Sequence, residues 1–343
     1  MTTRTPKRKP LRAAIAAGAL ALSTLFPAAP ALAQAPVDVK FTLDFIALGR
    51  HAPWYVGVAK GYYKDEGLNV TVMPSKGTAD AIKAVESGIA DIGFIDIPSL
   101  VATGATSSIK IVAVNYQKAP YCVFSLNPGG NVNSPKDMVG LEMASSTGSF
   151  VWRIHQAFMK MNGLDPATLK ITNVDPSARV SMLVSGKLPA VDLFLMSEPS
   201  IKRAAPGKEV KCLLLGDHGL DIYANSIGAT DAWLQKNPET MRKFVRASLR
   251  AWKDTMSNPV PSAKLQANMV KGLQEDIIAE EIAIVRRLAV VPDTEKNGYG
   301  WMNKPKMQRT VDFINNNIDV PGKKFTVDDI YRDGYLPKEP IRP

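Results

Sequence analysis

Residues 41–91, FTLDFIALGRHAPWYVGVAKGYYKDEGLNVTVMPSKGTADAIKAVESGIAD, constrain the fold more than any other part of this chain. An apolar strand pattern over 40–45 runs into Gly49-Arg50-His51, and Pro53 then opens a helix with Trp54 and Tyr55 in its first turn. A second strand pattern, 69–74, is followed by Lys76-Gly77-Thr78 and a helix that stops at Gly88. Two strand-to-helix junctions in so short a span place free backbone N–H groups at one sheet edge, a ready site for a small polar ligand.

Strand patterns recur at 92–94, 109–115, 122–126, 141–144, 171–174, 193–195 and 210–215, with helical stretches between most of them. Such alternation predicts an α/β fold with open, mostly parallel sheets. From Asp231 onward the pattern is helical. Met241, Phe244, Val245, Leu249, Trp252 and Met256 recur at helix spacing and predict one buried face. A single core rarely holds so long a chain, so two lobes are expected. No linker separates them, which predicts strands crossing from lobe to lobe near 119–126 and 220–228. The expected division is 1–33 as a leader, 34–119 with 226–343 as lobe 1, and 120–225 as lobe 2.

The leader is read from chemistry. Arg4, Lys7, Arg8, Lys9 and Arg12 form a basic start, 13–26 is apolar, and Ala31-Leu32-Ala33 is a small-x-small cleavage pattern. Periplasmic localisation of a soluble protein is the expectation. Five of the +10 formal charges fall in that segment, so +5 stays on the remainder. With acids interspersed and no basic stripe, a nucleic-acid partner is not expected. The two cysteines, Cys122 and Cys212, sit in apolar runs and read as small core residues or as a disulfide. The three histidines are far apart, so no metal site is expected. There is no GxSxG elbow, Walker loop, GxGxxG or HExxH, and a catalytic centre is not expected.

Candidate ligand-binding residues follow from position. Asp44 lies in the first strand pattern, and Arg50 and His51 in the loop after it. Trp54 is placed to stack on a planar ligand, and Thr78 opens a helix. Ser146, Thr147 and Ser149 belong to the helix-opening loop Ser145-Ser146-Thr147-Gly148-Ser149. Glu198 follows a strand, where an acid points into a switch-point crevice. Arg50, if enclosed, must meet a carboxylate or an anionic ligand, or stay wet. Asp96, before Ile97-Pro98-Ser99, reads as a helix cap.

Further segments carry a resemblance: Trp54-Tyr55-Val56; Lys60-Gly61-Tyr62-Tyr63-Lys64-Asp65-Glu66-Gly67-Leu68-Asn69-Val70; Gly77-Thr78; and Ala84-Val85-Glu86-Ser87-Gly88-Ile89-Ala90-Asp91-Ile92-Gly93. Val191-Asp192, Glu198-Pro199, Asn237-Pro238-Glu239 and Phe244-Val245-Arg246-Ala247 continue it. Together they resemble solute-binding proteins of ABC transporters, in the group for nitrate, sulfonates, taurine and thiamin pyrimidine precursors. The thiamin-pyrimidine-synthase-like branch is the most similar part of that group. The resemblance implies a bilobal type II periplasmic binding fold hinged on two crossing strands. It also implies a small planar solute, pyrimidine-like or a sulfonate or aromatic carboxylate. The implied partners are a membrane permease and an ATPase of an importer. No cofactor is implied, and a monomer is expected. The alternative is a pyrimidine-synthase-like enzyme on the same fold, although the chain lacks the cysteine-rich motif of the eukaryotic synthase members.

Overall fold

A computed structural model describes residues 1–3, 5–6, 35–104, 108–145, 150–320 and 324–343. The chain divides into two compact units, Met1–Gln34 and Ala35–Pro343. Residues 7–34, which carry most of the expected leader, lie outside the described residues, as do Ser146, Thr147 and Ser149.

The strands are β1 (Val37–Thr42), β2 (Leu68–Met73), β3 (Ile92–Asp96), β4 (Ile109–Val114), β5 (Tyr121–Asn127), β6 (Glu142–Ser145), β7 (Lys170–Asn173), β8 (Ala190–Phe194), β9 (Glu209–Leu214) and β10 (Asn225–Thr230). They build two five-stranded sheets, ordered β2-β1-β3-β10-β4 and β7-β6-β8-β5-β9. In the first, β1 runs parallel to β2 and β3, and β10 is antiparallel to both of its neighbours. The second repeats the plan, with β5 as the reversed strand.

Each reversed strand is the one that has just arrived from the other sheet. Residues 115–120 carry the chain out of the first sheet into β5, and 215–224 carry it back into β10. The two crossings touch. Asn115 N and Tyr116 N donate to Asn225 O at 3.0 and 2.9 Å. This is a bilobal α/β fold with two crossing strands. The crossing strand expected near 220–228 corresponds to β10, which begins later, at Asn225, and whose apolar run is interrupted by Asn225, Ser226 and Gly228.

The helices before the second crossing are α1 (Ala52–Ala59), α2 (Tyr62–Asp65), α3 (Thr78–Glu86), α4 (Ile97–Thr103), α5 (Val151–Met161), α6 (Arg179–Val184) and α7 (Glu198–Ala204). After it come α8 (Asp231–Lys236), α9 (Pro238–Ser257), α10 (Pro259–Met269), α11 (Glu275–Ala289), α12 (Pro292–Asn297), α13 (Lys304–Asn317) and α14 (Val327–Ile330). Among the described residues no helix is long and apolar enough to cross a membrane.

Burial follows the side-chain periods. β3 and β4 are buried along their whole length, as expected of strands covered on both faces. β5 alternates: Tyr121 and Val123 join the main core, while Cys122, Phe124 and Leu126 face a smaller one. All six periodic apolar residues of α9 are buried. Cys122 and Cys212, on neighbouring strands, form a disulfide.

Candidate functional site

β1 ends at Thr42, so Asp44 stands just beyond the strand instead of within it. A short 3-10 turn, Gly49–His51, then feeds α1, with Pro53 in its first turn. Proline suits that place because its missing N–H would have no partner in the helix. The loop folds back on itself. Arg50 Nη1 donates to both Asp44 oxygens, at 3.0 and 2.9 Å. His51 Nε2 lies 2.9 Å from Asp44 Oδ1, and its Nδ1 accepts from Leu48 N at 3.1 Å. An Nδ1 that accepts carries no proton, so Nε2–H is the donor to Asp44.

Burial alone would push the Asp44 carboxyl up, but Arg50 and His51 outweigh it and hold it at about 2. Burial, reinforced by the Arg50 charge, lowers His51 to about 4 despite Asp44 beside it. The triad at neutral pH is therefore carboxylate, guanidinium and neutral imidazole. His51 positions Asp44.

The second sheet supplies a matching pair. Arg179 opens α6 after the turn Pro176–Ala178. Its Nη1 donates to Asp192 Oδ1 at 2.6 Å and to the Asp192 carbonyl at 3.0 Å. Asp192 lies in the middle of β8 and accepts from Ser145 Oγ at 2.6 Å. Burial raises Asp192 to about 6 against the pull of Arg179 and Ser145. Arg179 Nε and Nη2 have no partner among the described residues.

Both pairs line one cavity. Asp44, Phe45, Arg50, Gly77 and Thr78 face it from the first sheet, and Arg179, Asp192, Phe194 and Ser197 from the second. The Phe45 ring lies 5.8 Å from the Arg50 guanidinium and 5.6 Å from that of Arg179, and Arg50 is 4.9 Å from the Phe194 ring. Cation–π contact at that range holds the charged groups in a poorly hydrated place. Between these walls the space that the centres of water-sized spheres can occupy is only ≈ 30 Å³, room for a few waters and far less than a ring-sized solute needs. A larger guest requires the walls to part.

Among the expected site residues, Asp44, Arg50 and Thr78 come together here, with His51 behind Asp44. Two do not. Trp54 is 0 % exposed. It sits in an aromatic nucleus, 4.5 Å from Phe41, 5.1 Å from Phe94 and 5.7 Å from Trp252. The expectation of a stacking Trp54 is overturned, because the first turn of α1 packs inward against α9. Glu198 is the first residue of α7, does not line the cavity, and pairs with Lys202 at 2.7 Å on the helix surface. Ser146, Thr147 and Ser149 lie outside the described residues, while Ser145 serves Asp192. Asp96 caps α4 through Ser99 N at 2.9 Å and also accepts from Tyr121 on β5.

Phe45, Arg179, Asp192, Ser197 and Glu281 were not among the expected site residues. The signal for Asp192 was a carboxylate in the apolar run Ala190-Val191-Asp192-Leu193-Phe194. A charge there must have a buried partner. Glu281, on α11, accepts from Arg50 N at 3.0 Å and from Ser200 Oγ on α7 at 3.1 Å. It thus ties the turn after β1 to a helix of the other sheet. Burial raises it to about 7 even though those donors favour its ionised form. Among the described residues no cluster of three His, Cys, Asp or Glu side chains is arranged to hold a metal ion.

The pattern described as NMT1/THI5 like matches residues 49–262. The chain belongs to the NMT1/THI5-like family. This member is 26% identical over 310 residues to the riboflavin-binding protein RibY of Chloroflexus aurantiacus, covering 84% of each chain. It is 22% identical over 229 residues to the formylaminopyrimidine-binding protein of Halalkalibacterium halodurans, covering 66% of this chain and 68% of that one. The 4-amino-5-hydroxymethyl-2-methylpyrimidine phosphate synthase THI13 of Saccharomyces cerevisiae is 22% identical over 250 residues, with coverage of 70% and 73%. In structure it is similar to the alkanesulfonate-binding protein SsuA of Xanthomonas axonopodis bound to MOPS, with a TM-score of 0.69 and 13% identity. That match covers 87% of this chain and 99% of the other. The NMT1/THI5-like chain thus has the periplasmic-binding-protein fold, and its binding-protein relatives support a solute-binding role.

Proposed function

We propose that this NMT1/THI5-like protein is the exported receptor of an ABC importer. It captures one small organic solute between two lobes, 34–119 with 226–343 and 120–225, and presents it to a membrane permease without altering it. Residues 1–33 serve as the export leader, and the receptor acts as a monomer in the periplasm. The observation that carries this reading is the convergence of two buried arginine–aspartate pairs, one from each sheet, on one cavity. A solute that touches both walls has different affinities for parted and closed lobes, so its binding shifts that equilibrium. Phe45 and Phe194 in the walls favour a planar guest. The binding-protein names of two relatives, riboflavin and formylaminopyrimidine, support such a guest.

The test is native mass spectrometry of the protein purified without unfolding, followed by small-angle scattering before and after the released solute is returned. The expected result is one solute per chain and a smaller radius of gyration when it binds. Conversion of the solute by catalytic amounts of protein would replace the receptor reading with the synthase one. Scattering that does not respond to the carried compound would remove the closure mechanism.

A further inference from the structure

Arg179 is only half used. Its Nη1 serves Asp192, while Nε and Nη2, the other edge of the same plane, meet no partner among the described residues. The residue is 2 % exposed and lines the interlobe cavity. Buried N–H donors without acceptors are rare because they are costly, and two on one cation ask for a specific occupant. The Nε–Nη2 edge presents two parallel N–H groups, a geometry that fits two oxygens of one oxyanion.

A second donor faces the same space from the other wall. Gly77 and Thr78 open α3, a nine-residue helix, and both line the cavity. The first N–H groups of a helix lack intrahelical partners and carry the positive end of its dipole. The wall carboxylates are already engaged: Asp44 by Arg50 and His51, Asp192 by Arg179 and Ser145.

Building on the receptor reading, we propose that Arg179 sets the charge of the solute. Its free Nε–Nη2 edge, opposite the start of α3, receives an oxyanion group, so the guest is an organic acid and not a neutral ring. Charge selectivity then lies with Arg179 and not with Arg50 or Glu198. Arg50 is less suited to it: its Nη1 is held by both oxygens of Asp44, and of its other donors only Nε is buried without a partner among the described residues, whereas Arg179 offers both atoms of one edge.

Three probes of similar size separate the possibilities: benzoate, benzenesulfonate and benzamide, titrated calorimetrically into the full chain stripped of any carried solute. At least one anion should bind about tenfold or more tightly than benzamide. Whichever anion is preferred tells carboxylate from sulfonate. Arg179→Lys keeps a cation beside Asp192 but removes the two-donor edge, and should erase that preference. If this variant does not fold, Arg179→Gln combined with Asp192→Asn removes both charges together and should erase it as well. Benzamide binding as tightly as the anions, no anion binding, or an anion preference that survives in either variant would overturn the assignment. A neutral solute recovered by native mass spectrometry, with compaction on its return, would remove only the role of Arg179. Absence of any carried solute together with absence of compaction would remove the receptor reading itself.

Discussion

Asp44 and Glu198 are both acids beyond a strand end, yet their environments differ completely. Asp44 is buried against Arg50 and His51, while Glu198 shares a solvated helix face with Lys202. Asp44→Asn leaves Arg50 enclosed without its counter-charge and should cost about 3–5 kcal/mol. Glu198→Ala removes a surface pair and should cost less than about 1 kcal/mol. Urea unfolding of the two variants checks both figures. Equal losses would mean that the Asp44–Arg50 pair is wetter than its burial implies. This contrast also marks what a sequence yields at this scale. Enclosure of Arg50 called for a carboxylate or an anionic ligand, and in the fold Asp44, six positions earlier, supplies the carboxylate. Arg179 could not be paired with Asp192 from spacing alone, since α6, which Arg179 opens, and β8 meet only in the folded chain. Trp54 misled because an aromatic in the first turn of a helix looks the same whether it faces a cleft or a core.

Secondary-structure elements were legible wherever apolar runs were unbroken, and their mutual placement was not. The turn Gly49–His51 shows why. It lies against α11, more than two hundred residues downstream, and a Cβ on Gly49 would come within 2.8 Å of Glu281 Oε2 and of Ile278 Cα. Gly49→Ala therefore overpacks the contact that orients Arg50 and should cost about 1–3 kcal/mol. A thermal melt checks the loss. An unchanged melting temperature would show that α11 gives way freely. The disulfide belongs to the same scale. Cys122 and Cys212 join β5 to β9 across 90 residues of sequence. Replacing both with Ala should cost about 2–4 kcal/mol, and a maleimide should label the unfolded protein only after reduction. Labelling without reductant would mean that the strands pair with free thiols.

At the scale of the whole molecule, buried titratable groups pull stability in opposite directions over the same pH range. Burial raises Glu281 to about 7 and Asp96 and Asp192 to about 6. In the unfolded chain such groups release their protons near pH 4. Between those values the folded protein holds protons that the unfolded chain does not, so stability from these acids grows as pH falls from about 7 toward 4. Burial lowers His51 to about 4 and His155 to about 3. Unfolded histidines take up protons below about 6.5. The folded ones do not until far lower, so stability from them is lost as pH falls over much of the same window. Asp44, held at about 2, contributes stability that persists until pH drops below its unfolded value of about 4. The melting temperature should therefore change little between pH 7 and 5 and fall steeply below pH 4. Glu281→Gln keeps an oxygen to accept from Arg50 N but cannot gain a proton. Its melting temperature should fall between pH 7 and 5 while that of the parent holds, and the two curves should draw together toward pH 4. Parallel curves for parent and variant would mean that Glu281 does not titrate in this window, and that its bonds to Arg50 and Ser200 outweigh its burial.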